Sequence, residues 1–445
     1  MKIQLSDHFT YKKLLRFTFP SIIMMIFTSV YGVVDGFFVS NFVGKTPFAA
    51  VNFIMPFLMM LGALGSMLGT GGSALIGIAL GEGDRNRAKR IFSLFIYVSF
   101  LCGITIAILG ILFLRPIASL LGAEGQMLED CVRYGRIILA ALPAFMLQYE
   151  FQSFFVTAEK PQLGLAVTVA SGLTNMVLDA LLVGVLPLGL EGAALATALS
   201  QCVGGVVPVI YFLRKNASLL QLLPPTKTKF DIRALLQASV NGSSELMSNI
   251  SMSLVGMLYN IQLLKYAGED GVAAYGVMMY VNFIFIAAYI GYSIGTAPVI
   301  SYHYGAGNSS ELKNILRKSA VILSICSLVM TGLGLSLARP FSELFVGYDR
   351  ELFTMTVRGF HIGSFSFLFS GIAIFGSSFF TALNNGLLSA LISFLRTLVF
   401  QTAAILILPL IWELDGIWFS IVAAEAMAVV VTLVFLVLKR KKYQY

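Results

Sequence analysis

Five acids and one base stand in stretches otherwise apolar enough to lie in a bilayer: Asp35, Glu150, Asp179, Glu245, Glu425 and Arg396. A charge in the bilayer core costs on the order of 3 kcal/mol, so each one needs a reason. Asn175 and Asp179 are one helical turn apart and share a face. Asp35 lies 18 residues past Phe17, a rise of roughly 27 Å along a helix. Thr197 falls about a turn and a half inside the next span but four. Two carboxylates, an amide and a hydroxyl at matched depth form a hard-oxygen cluster able to hold a proton or a small cation such as Na+. Close carboxylates can also share one proton. The alternative for each acid is a packing hydrogen bond to a neighbouring helix. Two acids at one depth with Asn175 beside them argue against it.

Glu245 stands apart, amid Asn241, Ser243, Ser244, Ser248 and Asn249. So polar a helix cannot face lipid, which makes Glu245, Asn241 and Ser244 candidates for lining a wet cavity. Arg396 and Glu425 fall at similar depth on successive spans and read as an internal ion pair. Glu150 falls near the cytoplasmic end of the fourth span, with no partner in the outer half, and reads as structural. Pro20 removes a backbone hydrogen bond and marks a place for the first span to bend.

The elements that must position these groups follow from composition. Of 445 residues, 58% are hydrophobic and only 12% charged, with a mean hydropathy of +0.86. A soluble domain carries about a quarter charged residues. Apolar runs near the ~20 residues needed to cross a bilayer occur at 17–39, 50–74, 91–114, 136–156, 164–186 and 192–213. They recur at 235–262, 273–300, 317–337, 360–381, 387–410 and 416–438. A register of 224 relates the two sets. It carries Arg115-Pro116 to Arg339-Pro340, Thr157-Ala158 to Thr381-Ala382, and the turn Gly81-Glu82-Gly83-Asp84 to Gly305-Ala306-Gly307-Asn308. The fold predicted is an all-α integral membrane protein of twelve helices in two six-helix repeats. An even number of spans per repeat implies a pseudo-two-fold along the membrane normal. The expected organisation is a lobe at 1–213, a basic linker at 214–232 containing Pro224-Pro225, and a second lobe at 233–445. In the turn, glycine permits a left-handed cap and Asp84 caps the next helix.

The net charge of +8 is topological. Placing both termini in the cytoplasm puts 21 Lys/Arg on that side and 8 on the other, as the positive-inside rule requires. Nucleic-acid binding is therefore not expected; the partners are the bilayer and small molecules, and the chain is expected to act as a monomer in a plasma membrane. The N-terminal basic and apolar run lacks a small-residue cleavage site and reads as a retained helix. Cys102, Cys202 and Cys326 fall in predicted spans and Cys131 outside, with no paired spacing for a disulfide or structural metal. No Walker loop is present. His8, His303 and His361 are scattered without a nucleophile–base or metal-ligand spacing, so neither an enzyme nor a cofactor is expected.

The run Pro20 to Val43, with Val33-Val34-Asp35-Gly36-Phe37-Phe38-Val39-Ser40, resembles the first helix of multidrug and toxic compound extrusion (MATE) transporters. Asn175-Met176-Val177-Leu178-Asp179 and Glu191-Gly192-Ala193-Ala194-Leu195-Ala196-Thr197 resemble the fifth and sixth helices of that family. The resemblance covers essentially the whole chain and implies two lobes around a cavity that opens alternately to either side. It implies export of cationic drugs or toxins, driven by inward flow of H+ or Na+, from a cell that is bacterial. By resemblance, Asp35, Asn175, Asp179 and Thr197 are the coupling-ion cluster, and Glu245 matches a functional acid at the start of the seventh helix. One departure stands out. Some members carry an acid in the tenth helix, whereas Phe360 to Thr381 has none and carries His361. The competing function is a flippase for a lipid-linked precursor. Its cavity would need positive charge for a pyrophosphate, and Arg396 is the one intramembrane base against five acids.

Overall fold

The computed structural model describes residues 3–228 and 230–445. Met1, Lys2 and Lys229 lie outside the described residues, as does the side chain of Lys45; the charge count includes the three lysines and the linker includes Lys229. The first six helices are α1 (Tyr11–Phe38), α2 (Lys45–Gly81), α3 (Arg85–Leu120), α4, α5 (Pro161–Asp179) and α6 (Gly189–Leu213). Helix α4 is made of two pieces, Gly125–Ala140 and Leu142–Thr157, which meet at 58°. The helical stretch Ile232–Gly305 is 74 residues long and breaks at Gly268, where φ is 64° and ψ −153°. Tyr259 stacks on Tyr275 with ring centroids 5.1 Å apart, so the chain folds back there into α7 (232–267) and α8 (269–305). Helices α9 (Ser309–Val346), α10 (Arg350–Gly363, then Phe367–Ala382), α11 (Gly386–Phe394, then Phe400–Ile407) and α12 (Pro409–Tyr443) complete the second set.

The turn after α2 and its copy after α8 behave as their residues dictate. Gly83 and Gly307 adopt positive φ, and Asp84 and Asn308 accept hydrogen bonds from the backbone N–H groups of Arg87 and Glu311. Hydropathy alone misplaces α4. Its first piece carries Glu129, Asp130, Arg133 and Arg136, yet buries Cys131, Val132, Tyr134, Ile138 and Leu139. An amphipathic face, invisible to a mean, forms this half-span. Cys131, expected outside the helices, is therefore inside one, its thiol donating to the Ala50 carbonyl over 3.4 Å.

The two halves meet in a symmetric way. A Cβ on Gly81 would overlap the Tyr302 carbonyl, and one on Gly305 would overlap that of Ile78. Residues 78 and 302, like 81 and 305, are related by the register of 224, so the contact is exchanged between the copies as a two-fold requires. Gly77 faces its own counterpart, Ser301. These contacts all lie at the end of the bundle that carries both termini, the terminal face. They seal the halves together there.

A short N-terminal strap crosses that seal. The Leu5 N–H donates to Glu159 in the first half over 2.7 Å. The Phe9 N–H donates to Glu311 in the second half over 2.8 Å, while Asn314 and Lys318 donate to the Phe9 carbonyl. Leu5 and Phe9 are fully buried beneath it. The segment between the halves rests on α3, with the Leu223 N–H donating to Ser93 and the Tyr97 hydroxyl donating to the Leu223 carbonyl.

Candidate functional site

Three helices bring the hard-oxygen residues together away from the terminal face. The Thr197 hydroxyl of α6 donates to Asp35 Oδ1 of α1 over 3.4 Å. The Asn175 amide of α5 donates to the same hydroxyl over 3.5 Å. Asp179 is fully buried beside them, close enough to Asp35 for their charges to interact. Both Asp179 carboxylate oxygens and the Asn175 carbonyl oxygen are buried without a donor. Buried acceptors without donors are costly. A proton or an oxygen-seeking cation is the chemistry that satisfies them, and the donor set fits either.

The backbone is irregular at this cluster. Helix α1 runs unbroken through Pro20, and its departure from α geometry comes instead at the π-helical turn Val39–Val43, whose first N–H still reaches the Asp35 carbonyl. A second π-helical turn, Ala180–Val185, begins at the residue after Asp179. Such turns recur at functional sites because they re-aim a side chain without breaking the helix.

The sequence reading missed Tyr134. It is fully buried within electrostatic reach of Asp35 and Asp179, beside Thr197, and its hydroxyl makes no hydrogen bond. It sits on the amphipathic piece of α4 that hydropathy left outside the membrane. A tyrosine on the apolar stripe of that piece was the available signal.

A second site lies in the other half. A cavity of about 260 Å³ is lined by Glu245, Ser248 and Met252 of α7, Asn260, Tyr275 and Met279 further along, and Arg396 and Glu425. Thr70, Ser73 and Ser153 of the first half close one side. Two of the expected cavity residues are elsewhere. Asn241 is buried, its amide donating to the Thr381 carbonyl over 2.8 Å, and Ser244 is buried as well. They share a face with Glu245 and Ser248 but lie one turn nearer the terminal face, where Gly386 brings α11 against Asn241 and Gly242 brings α7 against Met67 of α2. Arg396 and Glu425 form a close ion pair, with Nε and Nη2 both 2.9 Å from carboxylate oxygens. Arg396 lies within a π-helical turn, Leu395–Val399. Glu150 is fully buried and neither of its oxygens is hydrogen-bonded.

Among the described residues, twelve apolar helices in two copies, a buried ionic cluster in one copy and a polar cavity in the other define a multi-pass membrane transporter rather than an enzyme. The MatE family model matches residues 20–181 and again 246–407, and the chain belongs to that family. Multidrug export protein MepA of Staphylococcus haemolyticus is 26% identical over 93% of this chain and 90% of its own length. MepA of Staphylococcus aureus strain MRSA252 is 23% identical over 97% and 94%. Among solved structures, an outward-facing multidrug resistance MATE transporter of the MOP superfamily superposes with a TM-score of 0.92 at 22% identity, covering 98% of this chain and 97% of its own. A MOP superfamily transporter from Pyrococcus furiosus, described as having a binding pocket of reversed polarity, superposes with a TM-score of 0.90 at 22% identity, covering 98% of each. These superpositions speak to the fold.

Proposed function

We propose that this protein is a secondary active antiporter of a bacterial plasma membrane, with both termini cytoplasmic. It exports cationic amphipathic compounds in exchange for H+ or Na+. The halves at 1–213 and 233–445 act as lobes, the first holding the ion and the second most of the cargo cavity. The observation that carries this reading is the separation of the two sites. Acceptors without donors on Asn175 and Asp179 gather beside Asp35 and Thr197, while Glu245 lines a different, roomier space. An ion that binds one conformation better than the other shifts the equilibrium between them and so moves cargo. The export named in the MepA relatives agrees with it. A flippase is disfavoured because Arg396, the one base lining the cavity among the described residues, is already neutralised by Glu425.

The test is efflux of a fluorescent cation from proteoliposomes under separately imposed pH and sodium gradients. One gradient is expected to drive efflux, and Asp35→Asn to uncouple it. Efflux indifferent to both gradients would overturn the reading.

A further inference from the structure

The cavity holds more than one charge. Glu245 is half-buried on one wall, and the Arg396–Glu425 pair is on another. With these groups ionised, the three sum to a single negative charge, which a monovalent cation balances. The pair adds no net charge, but it does add direction. Arg396 spends Nε and Nη2 on Glu425, and among the described residues Nη1 makes no hydrogen bond. The Arg396 side chain remains 14% exposed while that of Glu425 is almost fully buried. A guanidinium has five N–H donors in a fixed fork. Clamping one edge, Nε and Nη2, on one carboxylate leaves the Nη1 donors fixed in orientation, on a residue that lines the cavity.

From these placements we propose that Arg396 is a specificity-determining residue of the cargo cavity, and that the cavity recognises a monovalent cation bearing a hydrogen-bond acceptor, such as a carbonyl or ether oxygen. The cation sits near Glu245, and the acceptor takes a donor from Arg396 Nη1. Helix α7 carries Glu245 about 20 Å from its start at Ile232, and α11 carries Arg396 about 15 Å from its start at Gly386. Both helices start at the terminal face, so the two groups lie at comparable depth on the same cavity. A cargo with a second cation is excluded, because it would have to meet a donor-only, positively charged group. Tyr275 and Met279 supply the soft and aromatic surface that a flat cation prefers. The ion pair is thus a way to offer hydrogen-bond donors to cargo without turning the cavity basic. The proposal rests on the reading of this space as the cargo site.

The experiment uses the full-length protein in lipid nanodiscs and three probes on one aromatic quaternary-ammonium scaffold. One has an amide tail, one an isosteric alkyl tail, and one a second ammonium. Calorimetry is expected to rank them amide, alkyl, dication, with about tenfold between successive members, the range of one hydrogen bond to a charged group. Equal affinity of the wild-type protein for amide and alkyl probes would overturn the proposal, and that measurement needs no variant. Replacing the whole pair by Arg396→Met/Glu425→Leu avoids leaving one charge buried alone. In that variant the amide and alkyl probes are expected to bind within about twofold and the dication to gain. A preserved tenfold amide preference would mean that the donor lies elsewhere. Glu245→Gln separates the two levels: if it leaves all three probes unchanged, the cargo-site reading itself fails. If it weakens all three while the pair replacement alters none, only the role of Arg396 fails.

Discussion

The two halves of the protein share a fold and a register but treat their buried charges in opposite ways. In the first half, Asp35 and Asp179 sit close together, and Asp179 has no donor for either oxygen. In the second half, Arg396 and Glu425 satisfy each other. Both halves place a π-helical turn in the fifth helix of the repeat. It follows Asp179 directly in one copy and encloses Arg396 in the other. At the register of 224, Asp179 corresponds to Ala403 and Asn175 to Val399. A duplicated scaffold has therefore been specialised by a few side chains. On the proposed reading, the acceptors of one copy take a mobile ion, and the closed pair of the other offers its remaining donors to the cavity. An unsatisfied site can be loaded and emptied, whereas a satisfied one stays as it is.

The largest effect is expected from removing the feature that only the first half has. Asp35→Asn should abolish coupled efflux while leaving insertion and expression intact, because it removes a carboxylate from the shared site. Wild-type resistance in cells expressing the variant normally would break the comparison. Asp179→Ala copies the residue of the second half into the first and is expected to lower ion-dependent transport by at least about a hundredfold, since loss of one charge-assisted partner costs ~3 kcal/mol. Calorimetry of H+ or Na+ binding to the purified variant checks it. An unchanged ion response would place the site elsewhere.

How much of this was legible beforehand depends on the physical signal each residue gives. A carboxylate in an apolar run is visible because lipid makes it expensive, and Asp35, Asn175, Asp179 and Thr197 could be placed at one depth by counting rise. The exchange of glycine contacts was implicit in the register of 224. The π-helical turns were not legible, since they are set by packing against neighbours rather than by local propensity. Asn241 and Ser244 were assigned to the cavity because polarity marks a helix as non-lipid-facing without saying which polar residues meet water. Tyr134 escaped because its half of α4 is amphipathic. The strap escaped as well, because eight residues of irregular chain carry no periodicity.

Glu245→Gln comes next in size. It is expected to weaken export of monovalent cations by about tenfold and of neutral analogues by much less, as loss of one partly screened charge contact does. Parallel transport of a cation and its uncharged isostere is the measurement. Equal losses would assign Glu245 to coupling and blur the division between the halves. Tyr134→Phe should be milder. Its hydroxyl is buried beside Thr197 with no partner, so removing it breaks no existing hydrogen bond. If that hydroxyl turns to the loaded site, ion affinity should fall about fivefold, the worth of one neutral hydrogen bond. Thermal stability should hold or rise.

The smallest effect is expected at Glu150, which sharpens the comparison because it too belongs to the first half and is fully buried without a hydrogen bond. Burial without donors is what marks Asp179, yet the two positions differ in company. Asp179 has a second carboxylate, an amide and a hydroxyl beside it. Glu150 has Ser99 facing it and the backbone of α4 pressed against Gly69. It lies 16 residues along a bent α4 from Tyr134, a path of roughly 24 Å. Among the described residues no second acid acts on it, and Ser99 is the one polar side chain that does. Glu150→Gln keeps the volume and breaks no hydrogen bond, so packing is preserved. Stability is expected to change by less than about 1 kcal/mol, as for volume-conserving exchanges, and ion-driven efflux to stay at the wild-type level. Melting of the purified variant and efflux under both gradients measure the two halves of that statement. A loss of coupling at normal stability would mean that an isolated buried acid suffices, and that the cluster around Asp35 owes its role to something other than the number of oxygens gathered there.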